Sequence, residues 1–89
     1  MSDFSNINFE LADGIYFDAY IEEEERAYFL DLSILEDMAN KRVINNRGVA
    51  LTLFHSIRNR VFQMCLAAHK ESPNWPIEKP LPILKKHIR

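Results

Sequence analysis

The sequence has one cysteine, Cys65, and two glycines, Gly14 and Gly48. A single cysteine cannot form an internal disulfide, and two distant glycines cannot build a Gly-rich phosphate loop. The apolar runs are far shorter than the roughly 20 residues of a membrane-spanning helix. The N-terminal residues lack the basic start and apolar core of a signal peptide. We therefore expect a cytoplasmic protein of bacterial or phage origin that has no membrane partner.

Apolar residues make up 47% and charged residues 27% of the 89 residues, a balance typical of a globular protein rather than a disordered chain. A chain of this length forms one domain, so residues 1–89 are expected to fold together. The net charge of −2 argues against a dedicated nucleic-acid-binding protein, because such domains are usually basic.

The first half of the chain alternates apolar and polar residues, which is the period of a strand with one buried face. Two such runs, residues 7–11 and 15–22, flank Asp13-Gly14, a pair suited to a tight type I′ turn. The charged residues 22–25 predict the tip of a second hairpin, followed by a third strand over residues 26–32. A helix over residues 17–32 is the alternative, because Glu-rich sequence also favours helix. The β-favouring residues before it favour strands.

The second half predicts two helices. Ser33 and Glu36 form an S-x-x-E capping box that would start a short helix over residues 34–41. Asn45 or Asn46 would cap one long helix that runs to about His69, because apolar residues recur every three to four positions over about five turns. These residues are Ala50, Leu53, Phe54, Ile57, Val61, Met64, Cys65 and Ala68.

Four prolines exclude a long helix in the C-terminal segment, residues 73–89. Its apolar residues are too many for a free tail, so we expect it to pack on the domain, with an edge strand near residues 83–88. The predicted fold class is therefore α+β. A three-stranded antiparallel meander, with this fourth edge strand, would pack against one short and one long helix.

Two stretches carry a resemblance to a known family. Phe29–Met38 reads as a strand that leads into a Ser-started helix with Leu-Glu, and Ala50–Phe54 with Arg58 and Val61 carries a Leu-x-x-Phe-x-x-x-Arg pattern. Over roughly residues 15–69 the chain resembles a small bacterial family, domain-of-unknown-function family 1488. The resemblance implies an α+β fold and assigns neither an activity nor a functional residue.

Cys65 and His69 are four residues apart on the predicted long helix, a spacing at which two side chains can meet. Such a pair could form a thiolate nucleophile or begin a metal site, but Cys65 falls on the buried stripe and no third ligand follows by spacing. The sequence also brings no two carboxylates together in a pocket. We predict that the protein is not an enzyme and binds no cofactor or metal.

The outward positions of the predicted sheet carry aromatic residues among acids. Aromatic rings can stack on nucleic-acid bases, but the carboxylates would repel phosphates, so a protein partner or basic peptide fits better. We therefore predict a non-catalytic protein–protein interaction module, such as a small inhibitor or modulator, unless the C-terminal segment covers this face. The predicted partner-binding residues are Tyr16, Asp18, Tyr20, Glu22, Phe29 and Asp31.

Two further surfaces give alternatives. Leu51, Phe62 and Leu66 form a second apolar flank of the long helix, which predicts either burial on two sides or a homodimer contact. Nucleic-acid binding through the arginines of this helix is the alternative function, although Arg58 and Arg60 point about 200° apart. The basic residues in and before the helix are Lys41, Arg42, Arg47, Arg58 and Arg60.

Overall fold

A four-stranded sheet and three helices form two layers in the computed structural model, which describes residues 4–10, 13–42, 46–84 and 87. The strands are β1 (Phe4–Glu10), β2 (Gly14–Ile21), β3 (Glu24–Asp31) and β4 (Leu81–Ile83), in that order across the sheet. The helices are α1 (Leu32–Ala39), α2 (Arg47–Ser56) and α3 (Arg58–Glu71). β1 to β3 form an antiparallel meander, and β4 pairs with β3 in parallel. The predicted α+β class is confirmed, and the helical alternative for residues 17–32 is wrong.

The helices cover one face of the sheet, and the core lies between the two layers. Its centre is a group of aromatic rings, in which Phe17 lies 4.9 Å from Phe4 and 5.0 Å from Phe54 between ring centroids. The strict alternation of β2 follows from this packing, because Phe17 and every second residue around it point into the core. The buried residues of β2 on this face are Ile15, Phe17, Ala19 and Ile21.

The first hairpin differs from the predicted Asp13-Gly14 turn. Gly14 already belongs to β2 and pairs with Glu10, so three residues connect the strands instead of two. The reason for glycine at this position is a close approach to β3. A Cβ atom at Gly14 would lie 2.2 Å from the backbone oxygen of Leu30. The Asp13 carbonyl accepts a hydrogen bond from the Leu32 N–H at 3.0 Å, which ties this hairpin to the start of α1.

Gly14 has a positive φ angle of 154°, and the second hairpin has positive φ angles at two consecutive residues. Ile21 pairs with Glu24, so Glu22 and Glu23 alone form the loop, with φ angles of 50° and 68°. Two consecutive left-handed residues match the type I′ turn that suits the twist of a hairpin. This conformation is strained for residues with a Cβ atom, and both Glu22 and Glu23 have one.

The start of α1 corrects the predicted capping box. The helix begins at Leu32, and its cap is Asp31, whose Oδ1 accepts hydrogen bonds from the Ser33 N–H at 2.8 Å and the Ser33 hydroxyl at 2.6 Å. The Ser33–Glu36 box is wrong because the chain turns into the helix earlier, where a carboxylate is available as the cap. Asn46 caps α2, as one of the two predicted asparagines, and accepts from the Val49 N–H at 3.0 Å.

The predicted long helix is wrong in one respect, because it breaks at Ile57 into α2 and α3. Ile57 has a ψ angle of 16°, and the Ser56 hydroxyl donates to the Leu53 carbonyl at 2.7 Å. A serine that bonds back to the preceding turn bends a helix. The break lets α2 contact β1 while α3 contacts β2 and β4. The predicted stripe is buried except at Leu53 and Ile57, which lie at the bend and are partly buried.

The C-terminal edge strand begins earlier than predicted, at Leu81 rather than near residue 83. Leu81 and Ile83 are buried on the core side, while Pro82 pairs with Phe29 on the opposite side. A proline is compatible with an edge strand because one side of that strand needs no N–H donor. Residues 85, 86 and 88 of the predicted strand lie outside the described residues.

Candidate interaction surface

The face of the sheet opposite the helices carries a row of apolar side chains. On this outer face, formed by the outward residues of β1 to β4, the register aligns Asn8, Tyr16, Phe29 and Pro82 across the four strands. The rings of Tyr16 and Phe29 are in contact, with centroids 4.6 Å apart. Tyr16, Phe29 and Pro82, here called the aromatic row, therefore form a continuous apolar strip across β2, β3 and β4.

Carboxylates lie on one side of the aromatic row. Asp18 is the next outward residue of β2, and its Oδ2 accepts a hydrogen bond of 2.6 Å from the amide of Asn6. Asn6 has a φ angle of 52° and lies where the β1–β2 register shifts, which turns its side chain towards Asp18. Further along, Tyr20 is 61% exposed and lies opposite Glu25. The Asn6 amide thus holds one carboxylate beside the aromatic row.

Two more carboxylates lie on the other side of the row. Glu10 pairs with Gly14, which in turn pairs with Asp31, so no side chain separates the two acids across β2. The Asn8 amide donates to Glu10 at 2.9 Å, while Asp31 is occupied as the cap of α1. Among the described strand residues, the outward positions carry acids on both sides of the aromatic row and no lysine or arginine.

The structure brings four of the six predicted partner-binding residues together on this face: Tyr16, Asp18, Tyr20 and Phe29. Asp31 lies at its end and serves the α1 cap. Glu22 is separate from them, because it lies in the β2–β3 turn with its carboxylate 3.5 Å from Nε2 of His69 on α3. Alternation along a strand predicts the facing of strand residues, but it does not extend into a turn.

The C-terminal segment does not cover the outer face where it is described. β4 extends the sheet sideways, and residues 72–80, here called the 72–80 loop, are held from the core side. The guanidinium of Arg26, on the core side of β3, donates to the carbonyls of Trp75 at 3.0 Å and Pro76 at 3.2 Å. The alternative in which this segment covers the predicted aromatic residues is therefore wrong for its described part.

An open groove continues the aromatic row beyond β3. It has a volume of about 440 Å³ and lies where β4 and the residues after it meet the start of α1. Leu84 is 43% exposed at this position. The groove joins the aromatic row through Phe29 and Pro82, so an apolar group bound there could also contact the row. Its lining is Phe29, Asp31, Ser33, Ile34, Pro82, Ile83 and Leu84.

The Cys65–His69 pair has none of the properties of a nucleophilic site. Cys65 is fully buried, and burial raises the pKa of its thiol, which disfavours the thiolate. His69 instead faces Glu22 through Nε2. Within the described ranges, no three histidine, cysteine or acidic side chains are placed to hold a metal ion.

His87 was not singled out by sequence reasoning, yet it is 5% exposed and bonded on both ring nitrogens. Nδ1 accepts from the Leu84 N–H at 2.9 Å, and Nε2 lies 3.2 Å from the Glu71 carboxylate at the end of α3. Because Nδ1 is an acceptor, the ring proton belongs on Nε2. Glu71 is sixteen residues away in the chain, so no local pattern could have signalled this contact.

The predicted basic cluster is only partly available for a ligand. Arg60 donates to the Met38 carbonyl at 3.2 Å and so links α3 to the end of α1. All five members are exposed: Lys41, Arg42, Arg47, Arg58 and Arg60. Nucleic-acid binding through this cluster stays a prediction.

No protein-family model, curated protein or solved structure matches the chain. The resemblance to domain-of-unknown-function family 1488 therefore stays a prediction. Of the helices in the described ranges, none combines the length and the apolar character needed to cross a membrane.

Proposed function

We propose that the protein is a non-catalytic interaction module whose outer face binds a basic segment of a partner protein. The observation that carries this proposal is the aromatic row, which has carboxylates on both sides and faces away from all three helices. A small cytoplasmic inhibitor or modulator could act through such a surface without an active site.

Arginine is the side chain that matches this surface best. A guanidinium over the Tyr16 or Phe29 ring would gain a cation–π interaction of about 0.5–2 kcal/mol, depending on how far it is desolvated. Asp18 lies one position along β2 and could accept hydrogen bonds from the same group. Apolar residues of the partner would cover Pro82 and enter the groove beside Leu84. Aromatic rings at the centre and charges at the rim are the usual arrangement of protein interfaces.

A second copy of the chain is a poorer occupant of the outer face. Two-fold pairing would place the same patch on both sides of the interface, so the acids of one copy would meet those of the other. The apolar flank predicted as a dimer contact, formed by Leu51, Phe62 and Leu66, packs partly buried against the core. Their partial burial favours burial of the helix on two sides, rather than a homodimer contact, as the explanation of this apolar flank.

Selection from a library of displayed random peptides tests the proposal without a known partner. We expect the selected peptides to contain arginine next to apolar residues. Their affinity should fall about tenfold with Tyr16→Ala or Phe29→Ala, equivalent to roughly 1.4 kcal/mol per anchor. Asp18→Asn, which keeps the shape of the side chain, should also weaken binding.

Glu78→Gln in the exposed 72–80 loop is the matched control and should leave affinity unchanged. Circular dichroism would verify that each variant is folded. Selected peptides that lack basic residues, or that bind Phe29→Ala as tightly as the parent protein, would contradict the proposal.

A further inference from the structure

The groove at the end of the aromatic row has a wall that the fold holds in place. Leu84 on this wall is 43% exposed, and His87 bonds its backbone twice. The Leu84 N–H donates to Nδ1 of His87 at 2.9 Å, and the His87 N–H donates to the Leu84 carbonyl at 2.9 Å. Nε2 of His87 lies 3.2 Å from the Glu71 carboxylate, which ties the wall to the end of α3. The groove is therefore formed before a partner binds, as binding sites usually are.

The lining of the groove suits an apolar side chain. Phe29, Ile34 and Leu84 contribute apolar side chains to it. Its two polar side chains are bonded to each other, because the Ser33 hydroxyl donates to Oδ1 of Asp31 at 2.6 Å. An acidic occupant would be repelled by the Asp31 carboxylate, whereas an aliphatic one gains from the burial of apolar surface. The occupant that fits is a leucine-like side chain.

The register of the sheet sets the distance from the groove to the place proposed for arginine. That place lies on β2 between Tyr16 and Asp18, and the groove lies on the other side of the aromatic row, beside Phe29 and Leu84. Neighbouring strands are about 4.8 Å apart, and outward residues recur about every 6.7 Å along a strand. The groove is then displaced by roughly 7 Å across the strands and roughly 7–10 Å along them. The two places are thus about 10–12 Å apart.

We infer that the partner segment is extended and carries an arginine and a large aliphatic residue four positions apart. An extended chain advances about 3.3 Å per residue, so the distance spans three or four positions. Only the even spacing points both side chains towards the sheet. The arginine lies over Tyr16 and binds Asp18, while the aliphatic side chain fills the groove beside Leu84. This inference rests on the proposed function and adds to it a second anchor and its spacing.

A series of synthetic peptides tests the spacing. Each peptide has one arginine and one leucine in a serine–threonine background, with the leucine one, two, four or seven positions away. Affinity for the full chain is measured by fluorescence anisotropy of the labelled peptide. We expect the four-position peptide to bind most tightly, about tenfold more tightly than its counterpart with alanine for leucine. Tightest binding at seven positions would fit a helical partner and overturn the inference, as would equal affinity at every spacing.

Leu84→Ala tests the groove itself. We expect this variant to lose the roughly tenfold advantage of the leucine peptide and to bind the alanine peptide as the parent protein does. Ile77→Ala is the matched control, because it truncates an apolar side chain that is 53% exposed in the 72–80 loop. If the two variants behave alike, the groove is not the second anchor.

The same peptides distinguish this inference from the proposed function. Arginine peptides that require Asp18 but ignore the leucine would leave the outer face as the binding surface and overturn the second anchor. Failure of every peptide to bind would overturn both. Methyl signals of Ile34 and Leu84 in the unaltered chain give a readout that needs no variant. We expect them to shift with the leucine peptide and not with the alanine peptide, and equal shifts would contradict the inference.

Discussion

Replacement of Glu23 by glycine tests the left-handed geometry of the β2–β3 turn. Glu23 has a φ angle of 68°, a conformation that costs a residue with a Cβ atom roughly 1–2 kcal/mol. Glycine adopts it without strain but loses about 0.5–1 kcal/mol more than alanine in backbone entropy on folding. The difference predicts a net stabilisation of about 0.5–1 kcal/mol for Glu23→Gly. Glu22 is less suitable for this test because its carboxylate faces His69.

Urea unfolding measures this change directly, since a shifted midpoint at constant slope reports stability alone. In a domain of this size the expected gain corresponds to an increase in Tm of about 2–8 °C. Glu25→Gly is the matched control, because the same substitution two residues along lies within β3 and should destabilise by about 0.5–1 kcal/mol. If Glu23→Gly destabilises the protein as much as Glu25→Gly does, the turn does not have this geometry.

Three further predictions use the same unfolding assay. Phe54→Ala should lower stability by about 3–5 kcal/mol because it empties a fully buried site at the centre of the core, and a loss below about 1 kcal/mol would refute that placement. Asp31→Ala should cost about 1 kcal/mol and Ser33→Ala less, since Asp31 is the cap of α1; the reverse order would restore Ser33 as the cap. Burial raises the pKa of the Cys65 thiol, so the folded state holds this proton more tightly than the unfolded chain. Stability should therefore fall as pH rises above about 8.5, with a smaller decrease in Cys65→Ala, and equal decreases would contradict this reading.

Periodicity along the sequence was sufficient to predict which side of each strand and helix is buried. Ile15, Phe17 and Ala19 alternate with outward residues in both the prediction and the structure, because one buried face imposes a period of two. The buried stripe through Phe54 and Val61 was likewise predictable from helical spacing. The register of β2 against β3 brings Tyr16 and Phe29 into contact. It could be predicted from the position of the hairpin tip alone.

Features that depend on single atoms of distant residues were not predictable. Gly14 suggested a turn, but the structure requires glycine at this position because the Leu30 carbonyl approaches it closely across the sheet. The capping pattern at Ser33 fits the sequence as well as Asp31 does, and only the path of the chain selects between them. Alternation puts Arg26 on the same side of β3 as Tyr28, but the carbonyls of Trp75 and Pro76 that accept its hydrogen bonds are 49 and 50 residues away in the chain, so no local pattern signalled them.

Nuclear magnetic resonance mapping with an arginine-containing peptide tests the proposed function most directly. We expect saturable shift changes of backbone amides around Tyr16, Asp18 and Phe29, which weaken in Asp18→Asn and leave α2 unaffected. Changes confined to α2 and α3, or their absence at every peptide concentration, would contradict the assignment of the outer face as the binding surface.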